Sequence, residues 1–303
     1  MMSYEGAHMP KVSVLTPVYR TDEAHLRTAI ESILSQSFED FEFILLDDCP
    51  DDPRRAIIES YKDPRIVYVV NEKNMGISPS RNRLVELAKG EYLAIFDHDD
   101  ISQPQRLERQ VEFLDAHPDY GVVGCQGLAI PRNEPLPFPV EHEQIKYALM
   151  EICAIPHTAA MVRKSVLVEN SIRYEAVFSP AEDYALWSRM LGVTKMHNLP
   201  ETLYHYREHE NSTTSRQMNR MIAADAAVKA LNRQLYPVEF AVISAKIDYY
   251  RQTRVRTYIK LFNFIPFLYF KRKSNYTWVY LFFVIPLWRY KTFYNKQYWQ
   301  DWL

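Results

Sequence analysis

Two apolar runs of this 303-residue chain each end in a burst of carboxylates, Phe41–Leu46 in Asp47-Asp48 and Tyr92–Phe96 in Asp97-His98-Asp99-Asp100. Each run has the length and composition of a buried strand and is followed by a segment with helical spacing. The alternation holds from the start. Val12–Thr16 is closed by Pro17, and Thr21-Asp22-Glu23 then opens a helix with apolar residues at Leu26, Ala29, Ile30, Ile33 and Leu34. Helices are predicted over Pro53–Tyr61 and Pro79–Ala88, on either side of the β-rich Arg65–Val70, and a helix over Pro104–Ala116 precedes the run Gly121–Cys125. Strand and helix in turn predict an α/β fold, a mostly parallel Rossmann-like sheet with flanking helices and ligands outside the carboxyl ends of the strands. The acidic bursts stand at those ends.

Glycine excludes the commonest phosphate binders. The chain has seven, far below the usual share of roughly 7%, with no G-x-x-x-x-G-K-[ST] loop and no dinucleotide fingerprint, since Gly121, Gly124 and Gly127 have the wrong spacing. Cys49, Cys125 and Cys153 lie far apart and form no C-x-x-C pair, which points to a reducing compartment rather than a disulfide framework or zinc knuckle. Met1–Pro10 lacks a basic stretch followed by an apolar one, so no secretory signal is expected.

A net charge of −2 hides an asymmetry: residues 251–303 hold ten Lys and Arg against one acidic residue, Asp301, and 18 of the 41 aromatic residues. Leu261–Phe270 and Tyr276–Trp288 are apolar but shorter than the roughly 18–20 residues that span a bilayer. Prolines 266 and 286 interrupt them, and Lys271-Arg272-Lys273 and Arg289-Tyr290-Lys291 flank them. This composition suits a monotopic anchor in an anionic membrane interface. Packing on the rest of the chain or on a second subunit is the alternative, which leaves a homo-oligomer open. No nucleic-acid partner is expected, because VYLFFVIPLW is too aliphatic for a base-stacking groove.

Three carboxylates within four residues, Asp97, Asp99 and Asp100, repel unless a cation lies between them. A divalent ion held by one or two of them, with phosphate oxygens completing its shell, is the usual solution. An acidic turn capping the next helix is the plainer reading. A carboxylate of Asp47-Asp48 suits either a base or ribose contact or an Asx-turn before Pro50. Arg81, at the start of a helix after Gly76, is placed to meet a base or diphosphate, or solvent. Ser179, Pro180 and Glu182 match a capping box. Asp183 is not needed for that cap and can project into a cleft as a base.

VSVLTPVYR, a helix ending in SILSQSF, FEFILLDD and NEKNMGISPSRNRLVELAKGEYLAIFDHDD occur in that order. Together they resemble the nucleotide-binding half of the family 2 inverting glycosyltransferases of the GT-A fold. The resemblance is strong over roughly residues 11–125 and continues to about 210. It implies a nucleotide-sugar donor, usually a UDP-sugar, and Mn2+ or Mg2+ as cofactor. By this similarity Asp97 and Asp99 match the DxD motif that meets metal and diphosphate, and Pro17, Tyr19 and Asp48 match positions around the base and ribose. Asp183 matches the aspartate that deprotonates the acceptor hydroxyl. Tyr206-Arg207-Glu208-His209 resembles the family's Y-R-x-H segment, in which His209 is a further metal or diphosphate ligand and Arg207 neutralises the leaving group. His157 matches an acceptor-side position, and Glu182, His157 and Arg207 are candidates for touching acceptor or diphosphate.

The proline-rich stretch Ile130–Val140 reads as an extended connector, and the chain is expected to divide into a donor half, residues 1–130, an acceptor half of the same domain, residues 131–215, and a C-terminal helical region with the membrane anchor, residues 216–303. Arg216-Gln217-Met218-Asn219-Arg220 lacks the tryptophan of the Q-x-x-R-W motif of processive members, so one sugar per encounter is expected. A glycan or glycolipid acceptor of lipooligosaccharide, O-antigen or capsule type would explain the tail, with the protein cytoplasmic and peripheral on the inner face of a bacterial membrane. The alternatives are a sugar-phosphate nucleotidyltransferase, for which TPVYRTDEAH lacks the glycine-rich loop, and a non-catalytic glycan-binding or scaffold protein with the same fold.

Overall fold

Strands β1 (Val12–Val18) and β2 (Phe41–Asp47) are buried along their whole length, as continuous apolar runs in a sheet covered by helices must be. The computed structural model describes residues 9–208 and 218–252, and the backbone of residues 257–261, 265–273, 276–281 and 285–291. Helix α1 (Glu23–Leu34) starts where Asp22 accepts the N–H groups of Ala24 and His25, and it buries Leu26, Ala29, Ile30 and Ile33. That stripe is the one its spacing predicts. The second predicted helix is shorter than expected, with α2 (Arg55–Ile58) passing into a 3-10 turn. Strand β3 (Ile66–Val70), helix α3 (Ile77–Leu87), strands β4 (Tyr92–Ile95) and β5 (Ile101–Ser102), and helix α4 (Arg106–Ala116) follow.

In the second half, β6 (Tyr120–Ile130) turns back through the proline-rich connector, part of which pairs with it as β7 (Glu134–Leu136). After α5 (His142–Ala148), the strand β8 (Met161–Arg163) inserts between β4 and β6, antiparallel to both. Helices α6 (Lys164–Glu169) and α7 (Glu182–Met190) and the long strand β9 (Lys195–Arg207) complete the sheet, whose order is β3-β2-β1-β4-β8-β6-β9-β5. It is parallel through β3, β2, β1 and β4 and between β6 and β9. The two halves therefore share one sheet, and its core runs from Val14, Phe43 and Tyr92 to Val123 and Met161, under Ile30, Leu107 and Leu114. Each such side chain, fully buried, contributes about 1.5–3 kcal/mol.

Pro17 is tolerated in β1 because the pairing with β4 ends at Leu15, where no ladder bond needs its missing N–H. Gly90 marks a close approach: a Cβ there would lie 2.5 Å from the backbone nitrogen of Ser13. Its own N–H donates to Ser13 Oγ at 2.8 Å, drawing the α3–β4 turn onto β1.

The chain divides into two units, Met1–Pro237 and Val238–Leu303. Helix α8 (Met218–Leu235) belongs to the first, where Asn232 Nδ2 donates to the Leu149 carbonyl at 2.6 Å. Helix α9 (Pro237–Gln252) ends the helical part of the C-terminal region. The aromatic and basic segment beyond it differs from the helical expectation. It forms an antiparallel meander of β10 (Thr257–Leu261), β11 (Ile265–Lys273), β12 (Tyr276–Leu281) and β13 (Ile285–Lys291). Aromatic and β-branched residues favour the pleated backbone, and Pro266 and Pro286 pair with Lys260 and Tyr280, where the register shifts. No helix among the described residues is long and apolar enough to cross a membrane.

Candidate functional site

The turn between β4 and β5 carries the acidic burst, and its backbone is held from several elements. Thr16 Oγ1 donates to the Phe96 carbonyl at 2.9 Å, and the Asp97 N–H donates to Thr158 Oγ1 at 3.0 Å. From β9, the Arg207 N–H donates to Asp100 Oδ1 at 2.8 Å, and its Nε donates to the Asp99 carbonyl at 2.9 Å. The buried Arg106 donates to Ser102 Oγ at 2.8 Å and to the Ile95 carbonyl at 3.3 Å, gripping both ends of the turn. Asp100 is thereby turned inward, and burial, with Asp99 and Asp97 close by, pushes its carboxyl well above the usual carboxylate range. The Asp97 and Asp99 side chains keep 32% and 20% of their surface exposed and line the cleft.

At the end of β2 the two aspartates differ. Asp47 makes the Asx-turn, accepting from the Cys49 N–H at 3.0 Å, and also accepts from the Arg54 N–H at 2.7 Å and the Tyr68 hydroxyl at 3.0 Å. Asp48 lines the cleft beside Pro17 and Tyr19 and accepts from Asn71 Nδ2 at 2.6 Å and from the Met75 and Gly76 N–H groups at 2.8 Å. Gly76, with φ 82°, starts α3 in a conformation that L side chains rarely adopt. Asp48 therefore shapes the loop that launches the helix bearing Arg81.

Helix α7 begins with no side-chain cap; its N-cap is Ala181, so the predicted capping box does not form. Glu182 has a stronger partner. Its Oε1 accepts from Arg81 Nη1 at 2.6 Å, with the two side chains only 5% and 11% exposed. The same guanidinium lies 3.5 Å from Asp97 Oδ1 and 5.6 Å from the centre of the Tyr174 ring. Asn82, the next residue of α3, anchors Tyr174 by donating to its carbonyl and accepting its N–H, both at 2.9 Å.

Asp183 lines the cleft and accepts the Tyr184 N–H at 2.7 Å on Oδ1, while Cys153 Sγ lies 4.0 Å from Oδ2. Burial, reinforced by the Glu182 charge and opposed by Arg81, pushes the Asp183 carboxyl up to about 6. His157 is buried at the cleft wall, with Nε2 3.0 Å from the Tyr174 hydroxyl, and burial with the Arg81 charge holds it well below the usual histidine range.

One cavity of about 1690 Å3 joins these groups, bringing Pro17, Tyr19, Asp48, Arg81, Asp97 and Asp99 of the first half to His157, Glu182, Asp183 and Arg207 of the second. It exceeds the roughly 300–1,000 Å3 of a site for one drug-sized ligand. His209 lies outside the described residues. Cys153 and Met221, Ile222 and Asp225 of α8 also line the cavity. No local motif marks them; α8 reads only as an Ala-rich helix.

Among the described residues no three His, Cys, Asp or Glu side chains converge as a closed metal site. Two half-buried carboxylates that line the cleft on a braced turn nevertheless fit a hard divalent ion that keeps most of its shell for water and phosphate oxygens.

Comparison with known proteins bears on the family and the fold. The uncharacterized glycosyltransferase MJ1057 of Methanocaldococcus jannaschii is 33% identical over 191 residues, which span 60% of this chain and 65% of that protein. The Escherichia coli protein WfaP, a UDP-Glc:alpha-D-GlcNAc-diphosphoundecaprenol beta-1,3-glucosyltransferase, is 26% identical over 74% of this chain and 87% of its own. The fold is shared with the crystal structure of Staphylococcus aureus TarS 1-349 in complex with UDP-GlcNAc, at a TM-score of 0.62 and 19% identity over 81% of this chain and 76% of that one. The model of glycosyl transferase family 2 matches residues 13–168, a stretch that contains β2, the acidic turn and His157. By that match, more than half of its length, the chain belongs to glycosyl transferase family 2 and has the GT-A type of fold.

Proposed function

We propose that the protein transfers one sugar from a UDP-sugar to a hydroxyl of a lipid-linked glycan, with inversion at the anomeric carbon. The observation that carries this reading is that Asp183 lines the same cavity as Asp97 and Asp99. UDP-sugars named for WfaP and TarS support the donor class, and the diphosphoundecaprenol-linked acceptor named for WfaP supports the acceptor class.

In this reading Pro17, Tyr19 and Asp48 flank the base and ribose, and Arg81 and Arg207 offer positive charge to the diphosphate. Asp97 and Asp99, with His209, would hold Mn2+ or Mg2+. When bound, such an ion supplies charge neutralisation for the departing diphosphate. Asp183 takes the proton of the acceptor hydroxyl as its oxygen forms the new bond to C1. The bond from C1 to the diphosphate oxygen breaks on the opposite face, and its electron pair leaves with UDP. A carboxyl pushed up to about 6 is a stronger base than an ordinary aspartate yet ionised at neutral pH. His157 and Glu182 shape the acceptor side. The basic residues of 251–303 hold the enzyme on an anionic membrane surface, where a lipid-linked acceptor is concentrated.

Thermal melting of the purified protein with UDP, GDP, TDP or CMP, each with Mn2+ and with EDTA, tests the reading. A Mn2+-dependent rise in Tm with UDP alone is the expected result. No shift with any nucleotide, in a folded sample, overturns it in favour of a non-catalytic role.

A further inference from the structure

The Arg81–Glu182 pair joins two parts of the chain that do different work. Arg81 stands on α3 of the first half, and Glu182 opens the helix whose next residue is Asp183. Both side chains are almost wholly buried, and the bond between them is short, at 2.6 Å. Its geometry is not that of a surface ion pair. Arg81 is also held on its flank by the Tyr174 ring, itself fixed to Asn82, and by Asp97 at 3.5 Å. Arg81 is the partner of Oε1, and among the described residues the buried Oε2 has no hydrogen-bond partner. Losing the one strong partner of a buried carboxylate leaves an uncompensated charge in the interior, so the first turn of α7 is pinned where Arg81 stands.

We propose that Glu182 is a positioning residue for the base: through the guanidinium it shares with Asp97, it fixes the first turn of α7 and sets the charge that Asp183 feels. The inference rests on the reading of Asp183 as the base. The groups facing Asp183 are Glu182 and the Tyr184 N–H on its own helix, Arg81 from α3, Asp97 from the end of β4, Tyr174 from the loop before α7, and Cys153 from the loop after α5. Glu182 is the nearest negative charge among them in sequence and in effect, and Arg81 opposes it. Removing the Glu182 charge therefore makes Asp183 a stronger acid and a weaker base. Shortening its reach while keeping the charge loosens the helix without that change.

The test is the pH profile of kcat/KM for the acceptor, at saturating donor and Mn2+, in E182Q and E182D. For E182Q the acid limb is expected to move down by about half a pH unit or more, with a plateau at least about tenfold lower. The UDP-dependent rise in Tm is expected to stay near that of the parent protein. For E182D the limb stays in place while the plateau falls about fivefold. A folded E182Q whose limb does not move, or an E182D plateau equal to the parent's, overturns the proposal. D183N separates this failure from that of the base reading. If D183N retains transfer, the base assignment falls and takes the proposal with it. An inactive D183N beside an unmoved E182Q limb removes the positioning role alone.

Discussion

The backbone N–H of Arg207 donates to the buried carboxylate of Asp100 at 2.8 Å, tying the end of β9 to the turn that carries Asp97 and Asp99. The tie is double, because Arg207 Nε also donates to the Asp99 carbonyl. D100A removes the acceptor, leaves an N–H unpaired in the interior and opens a void. A loss of about 1–3 kcal/mol is expected, together with a weaker Mn2+-dependent response to UDP. D100N keeps a carbonyl oxygen for the Arg207 N–H and should melt close to the parent protein. Thermal melts with and without UDP and Mn2+ decide between these outcomes.

Asp97 and Asp99 differ from Asp100 in facing the cleft. D97N and D99N each remove one oxygen anion from the proposed metal site without opening a cavity. Both are expected to fold, to lose most of the Mn2+-dependent stabilisation by UDP and to lose transfer activity by at least about 10²-fold. An unchanged Mn2+ requirement in either variant would remove that residue from the metal site.

Replacing the base should separate chemistry from binding. D183N is expected to lower kcat by about 10²–10⁴-fold while leaving UDP binding intact. The parent enzyme should lose activity about tenfold per pH unit below about 6, as Asp183 takes up its proton. Stability moves the other way. The folded-state value lies above the unfolded one, so the folded protein binds more protons between about pH 4 and 6 and this group's contribution falls as pH rises through that window. At pH 7 the ionised carboxylate is a cost that D183N removes, and a gain on the order of 2 kcal/mol is expected. Calorimetry of both proteins at pH 4 and 7 checks it: the gain should shrink at the lower pH.

Asn82 has a structural part that its surroundings make plain. N82A deletes two hydrogen bonds to the Tyr174 backbone and frees the ring that flanks Arg81. A loss of about 1–3 kcal/mol is expected, with the larger kinetic effect on transfer rather than on UDP affinity. A variant that melts like the parent would show that Tyr174 is held from elsewhere.

The C-terminal unit gives a test that needs no substrate. Ten basic residues against one acidic residue in 251–303 should bind the full chain to vesicles containing phosphatidylglycerol and not to neutral phosphatidylcholine vesicles. Release at high salt is the expected signature of such an attraction. Equal partition to both vesicle types, or to neither, would set the membrane anchor aside.

The positions of β1 to β4 and of the start of β6, of the helices of the first half and of the acidic turn were legible along the chain, because burial on a strand or on one helix face repeats over a few residues. The carboxyl ends of parallel strands gather at one edge of a sheet, so Asp48, Asp97 and Asp99 follow to the same cleft from sequence order. The helical expectation failed for the described residues between Thr257 and Lys291, which form strands whose register shifts beside Pro266 and Pro286. The capping box failed for a different reason. Ser179 and Glu182 have the right local spacing, but Arg81, 101 residues away in sequence, offers Glu182 a charged partner that a backbone N–H cannot match. The antiparallel insertion of β8, the closeness of Cys153 to Asp183 and the inward turn of Asp100 likewise follow no local period. Each depends on which distant segments meet when the sheet closes, and only the tertiary structure decides that: pairing, burial and electrostatic strength are properties of neighbours in space.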